Sequence, residues 1–410
     1  LAFALLGLIQ HKLRRTSIAG LFVALVFLEG GIYQTTHAML LLALVLIPTA
    51  IADRDPWPLY ILGGVAAFGI GFGAIKLLPT YAFLLQHPRP TFQVEYASLH
   101  DIWVALFDHS QSVWREALGN YAFFEGGAYV GYIFTALVAV GAITAFRSTW
   151  KWLLAAAILF FLSMGDFARY APWTLLHMLP IFSSQRVVMR LLIPLVLCFS
   201  VVAAYGVEFL DRWRPPWTRA LAALVILAGA IDCFRAGPPN LSNIQFGHEL
   251  PLAASPAFKQ FGNLDTQEFT QNQLRYNQAD IGIAHCYEYT GIPTTVVGYN
   301  EATYKGEQHL LDAGSVQVLR WSPNALTYQL QTNSPTTLVI NQNYDNGWAI
   351  VHGKGHLVAN NGLLAVEVPA GTETLKLVNL GNHLLLGLAI TMLTAVGAVL
   401  LWRWEPALSS

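Results

Sequence analysis

Charge is scarce in this sequence: 11% of its 410 residues are Asp, Glu, Lys or Arg, against 55% that are hydrophobic. With a mean hydropathy of +0.47, such a chain cannot be wholly water-soluble. Several of its apolar runs approach the roughly 20 residues that cross a bilayer. Net charge is −1, so no basic excess attracts a polyanion and no nucleic acid is expected as a partner. Cysteine is equally sparse. Cys198, Cys233 and Cys286 are scattered, which gives neither a disulfide framework nor metal-ligand spacing. A Gly-rich phosphate loop, a Ser/His/Asp order and a nucleotide motif are missing, which disfavours a nucleotide-sugar donor handled in the cytoplasm. The opening run, LAFALLGLI, has neither the charged segment nor the cleavage motif of a signal peptide. It reads as the tail of a membrane helix, and the expectation is that further helices precede Leu1.

What is present is a succession of apolar runs. Counting the opening one, they fall at residues 1–10, 17–33, 36–52, 59–78, 128–146, 152–164, 187–210, 217–234 and 384–402, a polytopic α-helical membrane protein of about nine spans. Basic residues crowd the short turns 11–15, 53–58, 147–151 and 211–219, and the positive-inside rule places those turns in the cytoplasm. Residues 87–127, 165–185 and 235–382 then lie outside. The expected organisation is a membrane domain at 1–236 with outer loops 80–127 and 165–186, a mixed extracytoplasmic segment at 237–314, and a β-sandwich-like domain at 315–381. A final span and cytoplasmic tail occupy 382–410. The sandwich follows from short alternating stretches such as LTYQLQT, TTLVIN and LLAVEVP, separated by turn residues. Glycines 63, 64, 69, 71 and 73 give the 59–78 span small faces for ordinary helix packing.

The chemistry concentrates in 165–190, GDFARYAPWTLLHMLPIFSSQRVVMR. Arg186 and Arg190 stand at i,i+4, so on a helix they share one face about a turn inside a span. A cation there snorkels to the interface or holds an anion, and guanidinium forks match phosphate oxygens bidentately. The loop after Pro79 adds Arg89 and Glu95. Glu29, near the outer end of a span, is either a functional acid or a helix-end residue in headgroup water. Asp166 beside Arg169 reads as a capping pair or an acid. His352 and His356 flank a solvated hairpin. The aromatics Tyr344 and Trp348 suit either sugar stacking or a sandwich core.

Four stretches carry a family resemblance. Residues 341–351 (NQNYDNGWAIV) hold a Tyr-x-x-Gly-Trp turn, and 360–371 (NNGLLAVEVPAG) hold an Asn-Gly followed by a Pro-Ala-Gly hairpin. With residues 77–89 (LLPTYAFLLQHPR) and 179–190 (LPIFSSQRVVMR) earlier in the chain, all four in the family's order, the chain resembles the YfhO-like bacterial membrane proteins of the GT-C glycosyltransferase superfamily. That family often has Pro where Val188 stands. The resemblance implies transfer of a sugar from a polyprenyl-phosphate donor to an envelope glycan or lipid acceptor, at the outer face of the bacterial cytoplasmic membrane. Such transfer needs a carboxylate to act on the acceptor hydroxyl, and cations or a divalent metal ion to stabilise the departing phosphate. Glu29, Asp166 and Glu95 are the candidate carboxylates. Arg186, Arg190 and Arg89 are the candidate phosphate ligands, and Trp348 and Tyr344 the candidate acceptor contacts. The acidic residue usual in the family's first outer loop would precede Leu1. The alternative expectation is a non-catalytic membrane scaffold or accessory subunit of an envelope complex.

Overall fold

A computed structural model describes residues 1–88, 96–109, 113–115, 119–121, 126–179, 181–212, 216–242, 258–261, 281–283 and 295–408. The chain divides into two compact units. One is Leu1–Ala74, Thr91–Gln245 and Ala389–Ser410; the other is Ile75–Pro90 and Phe246–Leu388.

The first unit is helical. Five helices of the chain, Ile32–Asp53, Trp57–Gln86, Val188–Arg212, Trp217–Ala236 and Leu384–Trp404, are long and apolar enough to cross a membrane. The last exposes Leu385, Leu386, Met392, Leu393, Val396, Val399 and Leu400, a surface that suits hydrocarbon and not water. Four expected spans fall short of that standard. Ala2–Ile9 has 8 residues, Gly131–Thr144 has 14 and Arg14–Glu29 has 16; at 1.5 Å per residue even the longest covers only about 24 Å. Phe146–Ser163 reaches 18 residues but carries Arg147 and Lys151 near its start.

Glycine sets the closest crossings. A Cβ on Gly141 would lie 2.0 Å from the carbonyl oxygen of Val202, and one on Gly206 would lie 2.3 Å from that of Leu137. The helices Gly131–Thr144 and Leu192–Arg212 therefore touch backbone to backbone, which only small residues permit. Gly20 is similarly pressed against Phe68 and Gly69, and Gly71 against Thr394. So most of the glycines in the Trp57–Gln86 helix do serve packing, whereas a Cβ on Gly63 meets nothing within 4 Å. Gly141→Ala is expected to cost about 1–3 kcal/mol through forced separation of the two helices. Gly63→Ala should be neutral or stabilising by up to about 1 kcal/mol. Thermal melting of the two variants in detergent checks both signs.

The second unit is built on β-structure. After the small pairs β1 (Val113–Arg115) with β2 (Gly119–Tyr121) in the first unit, and β3 (Lys259–Phe261) with β4 (Ile281–Ile283) here, eight strands follow. They are β5 (Gln308–Leu310), β6 (Gly314–Ser322), β7 (Ala325–Thr332), β8 (Thr336–Asn343), β9 (Trp348–His352), β10 (His356–Asn360), β11 (Leu363–Val368) and β12 (Gly371–Asn379). They form two four-stranded sheets, ordered β10-β11-β8-β5 and β6-β7-β12-β9. Inward residues at period two meet in one core: Leu326, Tyr328 and Leu330 from β7, Leu338 and Ile340 from β8, Leu364 and Val366 from β11, Leu375 and Leu377 from β12. The sheet begins upstream of the expected Ser315. Its edge strand β5 pairs Gln308 with Ile340 and Leu310 with Leu338, but three residues are too few to show alternation.

Candidate functional site

The arginine pair is assembled by the start of another helix. Arg186 and Arg190 do not share an α-helical face as expected. Val187 is extended, at φ −90° and ψ 94°, residues Val188–Leu191 form a 3-10 turn, and the α-helix begins only at Leu192. The departure from α-geometry changes which positions align, since 3-10 turns bring i and i+3 into register. What unites the pair is Tyr33, in the first turn of Ile32–Asp53. Its hydroxyl oxygen accepts the Arg186 backbone N–H at 2.9 Å, and its ring lies 4.5 Å below the Arg190 guanidinium carbon, a cation–π distance. Both arginines are half-buried. They stand on an apolar platform, for Val187, Val188, Met189, Leu191 and Leu192 are all 3% exposed or less.

A buried polar chain braces this platform. Gln185 is 2% and His37 4% exposed. The Gln185 side-chain oxygen lies 3.1 Å from His37 Nε2, so Nε2 carries the proton and donates. The Gln185 amide nitrogen donates to Thr36 Oγ1 at 2.6 Å, and the Thr36 hydroxyl donates to the carbonyl oxygen of Tyr33 at 2.9 Å. None of Tyr33, Thr36, His37 and Gln185 was singled out by sequence reasoning. The available signal was a polar cluster, YQTTH, inside an otherwise apolar run.

The carboxylates sit elsewhere in the same unit. Glu29 is the exposed last residue of Arg14–Glu29, and the left-handed Gly30 (φ 110°) ends that helix. A carboxylate gains nothing from a helix C-terminus, so solvent accounts for its placement. Only the short Gly30-Gly31 link separates it from the helix that bears Tyr33. Asp166 is also exposed and accepts a hydrogen bond from Thr174 Oγ1, while Arg169 lies over Tyr170. This turn is held by Thr174 and not by the expected Asp166–Arg169 pair. Asp101 completes a capping box with Ser98. Arg89 and Glu95 lie outside the described residues.

Sequence reasoning also passed over Asp232, a lone acid in the apolar run LVILAGAIDCF. Its two oxygens meet Tyr129, whose hydroxyl donates at 2.8 Å, and His109 Nε2 at 2.9 Å. Gly131, at φ +71°, leaves room for this approach, since a Cβ there would sit 2.4 Å from an Asp232 oxygen.

Tyr344 and Trp348 belong to the second unit. There they line a cavity of about 640 Å³, with Asn343, Asp345, Asn379 and His87 among its other walls. Trp348 is 8% exposed and joins the sandwich core, the second of its two expected settings. Among the described residues no group of three or more His, Cys, Asp or Glu is placed to hold a metal ion. No family model, curated protein or solved structure matches this chain.

Proposed function

We propose that the chain is an integral membrane glycosyltransferase, moving a sugar from a polyprenyl-phosphate donor to an envelope glycan or lipid acceptor. The single observation that carries this is the gathering of Arg186 and Arg190 on Tyr33, over a rigid apolar platform, where an apolar helix begins. Two half-buried guanidinium groups so held suit a phosphate whose tail runs into lipid. In the reaction the acceptor oxygen bonds to the sugar's anomeric carbon as the bond from that carbon to the phosphate oxygen breaks. The arginines neutralise the departing polyprenyl phosphate. The acceptor's proton passes to a carboxylate, and Glu29, one short link from Tyr33, is the described acid best placed by the chain.

The same reading assigns the site to the outer face of the bacterial cytoplasmic membrane and treats the shorter helices as crossings too, about nine spans in all. Contacts within the helical unit support two distinct ends. Lys151 meets Asp53 at 3.2 Å, and Arg14 lies 4.8 Å from the Trp402 ring, joining segments rich in basic residues. His109 meets Asp232 and Gln185 meets His37, joining segments of the opposite set.

A second reading, a non-catalytic scaffold or accessory subunit, draws on the carboxylates already committed to structure: Asp101 to Ser98, Asp166 to Thr174, Asp232 to Tyr129 and His109. The two part in one assay. The purified chain in nanodiscs is incubated with a radiolabelled polyprenyl-phosphate hexose and bacterial envelope glycan. Label moving from the lipid to the glycan supports the transferase; a donor recovered intact after long incubation supports the scaffold.

A further inference from the structure

The sandwich unit has a cavity whose chemistry differs from that of the arginine pair. Its volume of about 640 Å³ lies within the range of about 300–1,000 Å³ typical of small-molecule sites. Two turns shape the rim. The Asp345 carboxylate accepts the Gly347 N–H at 2.7 Å, and the Asn379 side-chain oxygen accepts the Gly381 N–H at 2.8 Å. Each turn folds on its own side chain and holds its place without help from a ligand. The aromatic wall comes from Tyr344 and Trp348.

The polar wall contains an unmet demand. In the run Asn341-Gln342-Asn343 at the end of β8, Asn341 is saturated. Its oxygen accepts the Val297 N–H at 3.0 Å, and its nitrogen donates to the Val297 carbonyl at 2.8 Å. Gln342 and Asn343 line the cavity, and the side-chain oxygen of each is buried without any hydrogen bond. Such an orphan costs about 1–3 kcal/mol, and two side by side call for an explanation. The terminal torsion of an amide side chain is soft, so a modest rotation presents either oxygen to the cavity as an acceptor.

Among the described residues no Lys or Arg lines this cavity. A phosphate or carboxylate ligand would want one. A metal cation would want several carboxylates, and among the described residues Asp345 is the single acid in the lining. An aliphatic chain would leave the amides unanswered. Amides that accept and donate, beside aromatic faces, match a neutral molecule with many hydroxyls and a flat C–H face.

We propose that this cavity is a binding site for a neutral glycan, one or more hexose or N-acetylhexosamine units, with Gln342 and Asn343 taking sugar hydroxyl protons and Tyr344 stacking on a ring. Binding of this kind requires no transfer chemistry, so it stands whether or not the chain moves sugar.

The experiment uses the full chain in nanodiscs with chitotetraose and cellotetraose as probes, read by calorimetry and saturation-transfer NMR. Saturable binding of either sugar is expected, unaffected by inorganic phosphate. Asn343→Leu and Gln342→Met remove the orphan oxygens at nearly constant shape. Both should keep the sandwich's melting temperature or raise it while weakening the sugar at least tenfold. Tyr344→Ala, at the cavity wall, provides a variant that leaves the β8 end intact and should also weaken binding at least tenfold. The proposal is overturned if neither sugar binds saturably, if all three variants bind like the wild type, or if phosphate displaces the sugar.

Discussion

On the transferase reading proposed above, an Arg186→Ala chain is expected to insert into the membrane yet transfer sugar from a polyprenyl-phosphate donor at about one hundredth of the rate or less. The contact tying this segment to Tyr33 is made by the Arg186 backbone N–H, so alanine retains that contact. On that reading, what disappears is a guanidinium that meets the charge developing on the departing phosphate. Removing one such preorganised donor typically costs about 100- to 1,000-fold in rate. Arg190→Lys should fall between wild type and Arg186→Ala, because lysine keeps the charge while losing both the fork and the flat face above Tyr33. The steady-state rate with a labelled donor, measured beside a thermal melt, separates lost chemistry from lost fold. Wild-type rates in Arg186→Ala would remove the phosphate clamp from the mechanism.

What could be read from residues alone follows the strength of the local signal. Long apolar runs announce helices such as Ile32–Asp53 and Leu384–Leu408 directly, because in hydrocarbon the backbone must satisfy its own hydrogen bonds. Alternation over eight residues, as in Ala325–Thr332, likewise marks a strand with one buried face. The edge strand Gln308–Leu310 offers only three residues and stayed hidden in a polar stretch. For the arginine pair, spacing identified the residues and misjudged the geometry. Helical periodicity presumes α-turns, whereas Val188–Leu191 form a 3-10 turn whose Val188, Met189 and Leu191 side chains are buried. Tyr33, Gln185 and Asp232 were illegible for a related reason: each acts through a partner more than 100 positions away, and nothing in local pattern pairs them. The turn at Asp345–Gly347 was legible because Asp, Asn and Gly each have local reasons to be there.

Glu307→Ala is expected to cost the sandwich unit about 3 kcal/mol, since hydrogen bonds to a charged group contribute about 1.5–3 kcal/mol each and several here share one acceptor. The carboxylate accepts from the Gln260 backbone at 2.8 Å, the Gln260 amide at 3.0 Å, the Asn341 amide at 3.2 Å and the Tyr304 hydroxyl at 2.9 Å. Gln260 and Asn341 are 9% and 6% exposed, so water cannot readily replace the lost acceptor for them, and the half-buried position of Glu307 keeps the total below a simple sum. The same hub gives a pH signature. Burial, and then the bond and charge of Glu307, raise the Tyr304 hydroxyl above its ordinary range. A raised value in the folded state means this contribution is complete below about pH 10, the unfolded tyrosine value, and is lost as pH climbs through the folded one. Tyr304→Phe should therefore lower the sandwich's melting temperature at pH 8, and the gap to wild type should close between about pH 10 and the folded value. A gap that stays constant across that window would mean the Tyr304–Glu307 bond contributes nothing to stability, and that the carboxylate serves Gln260 and Asn341 alone.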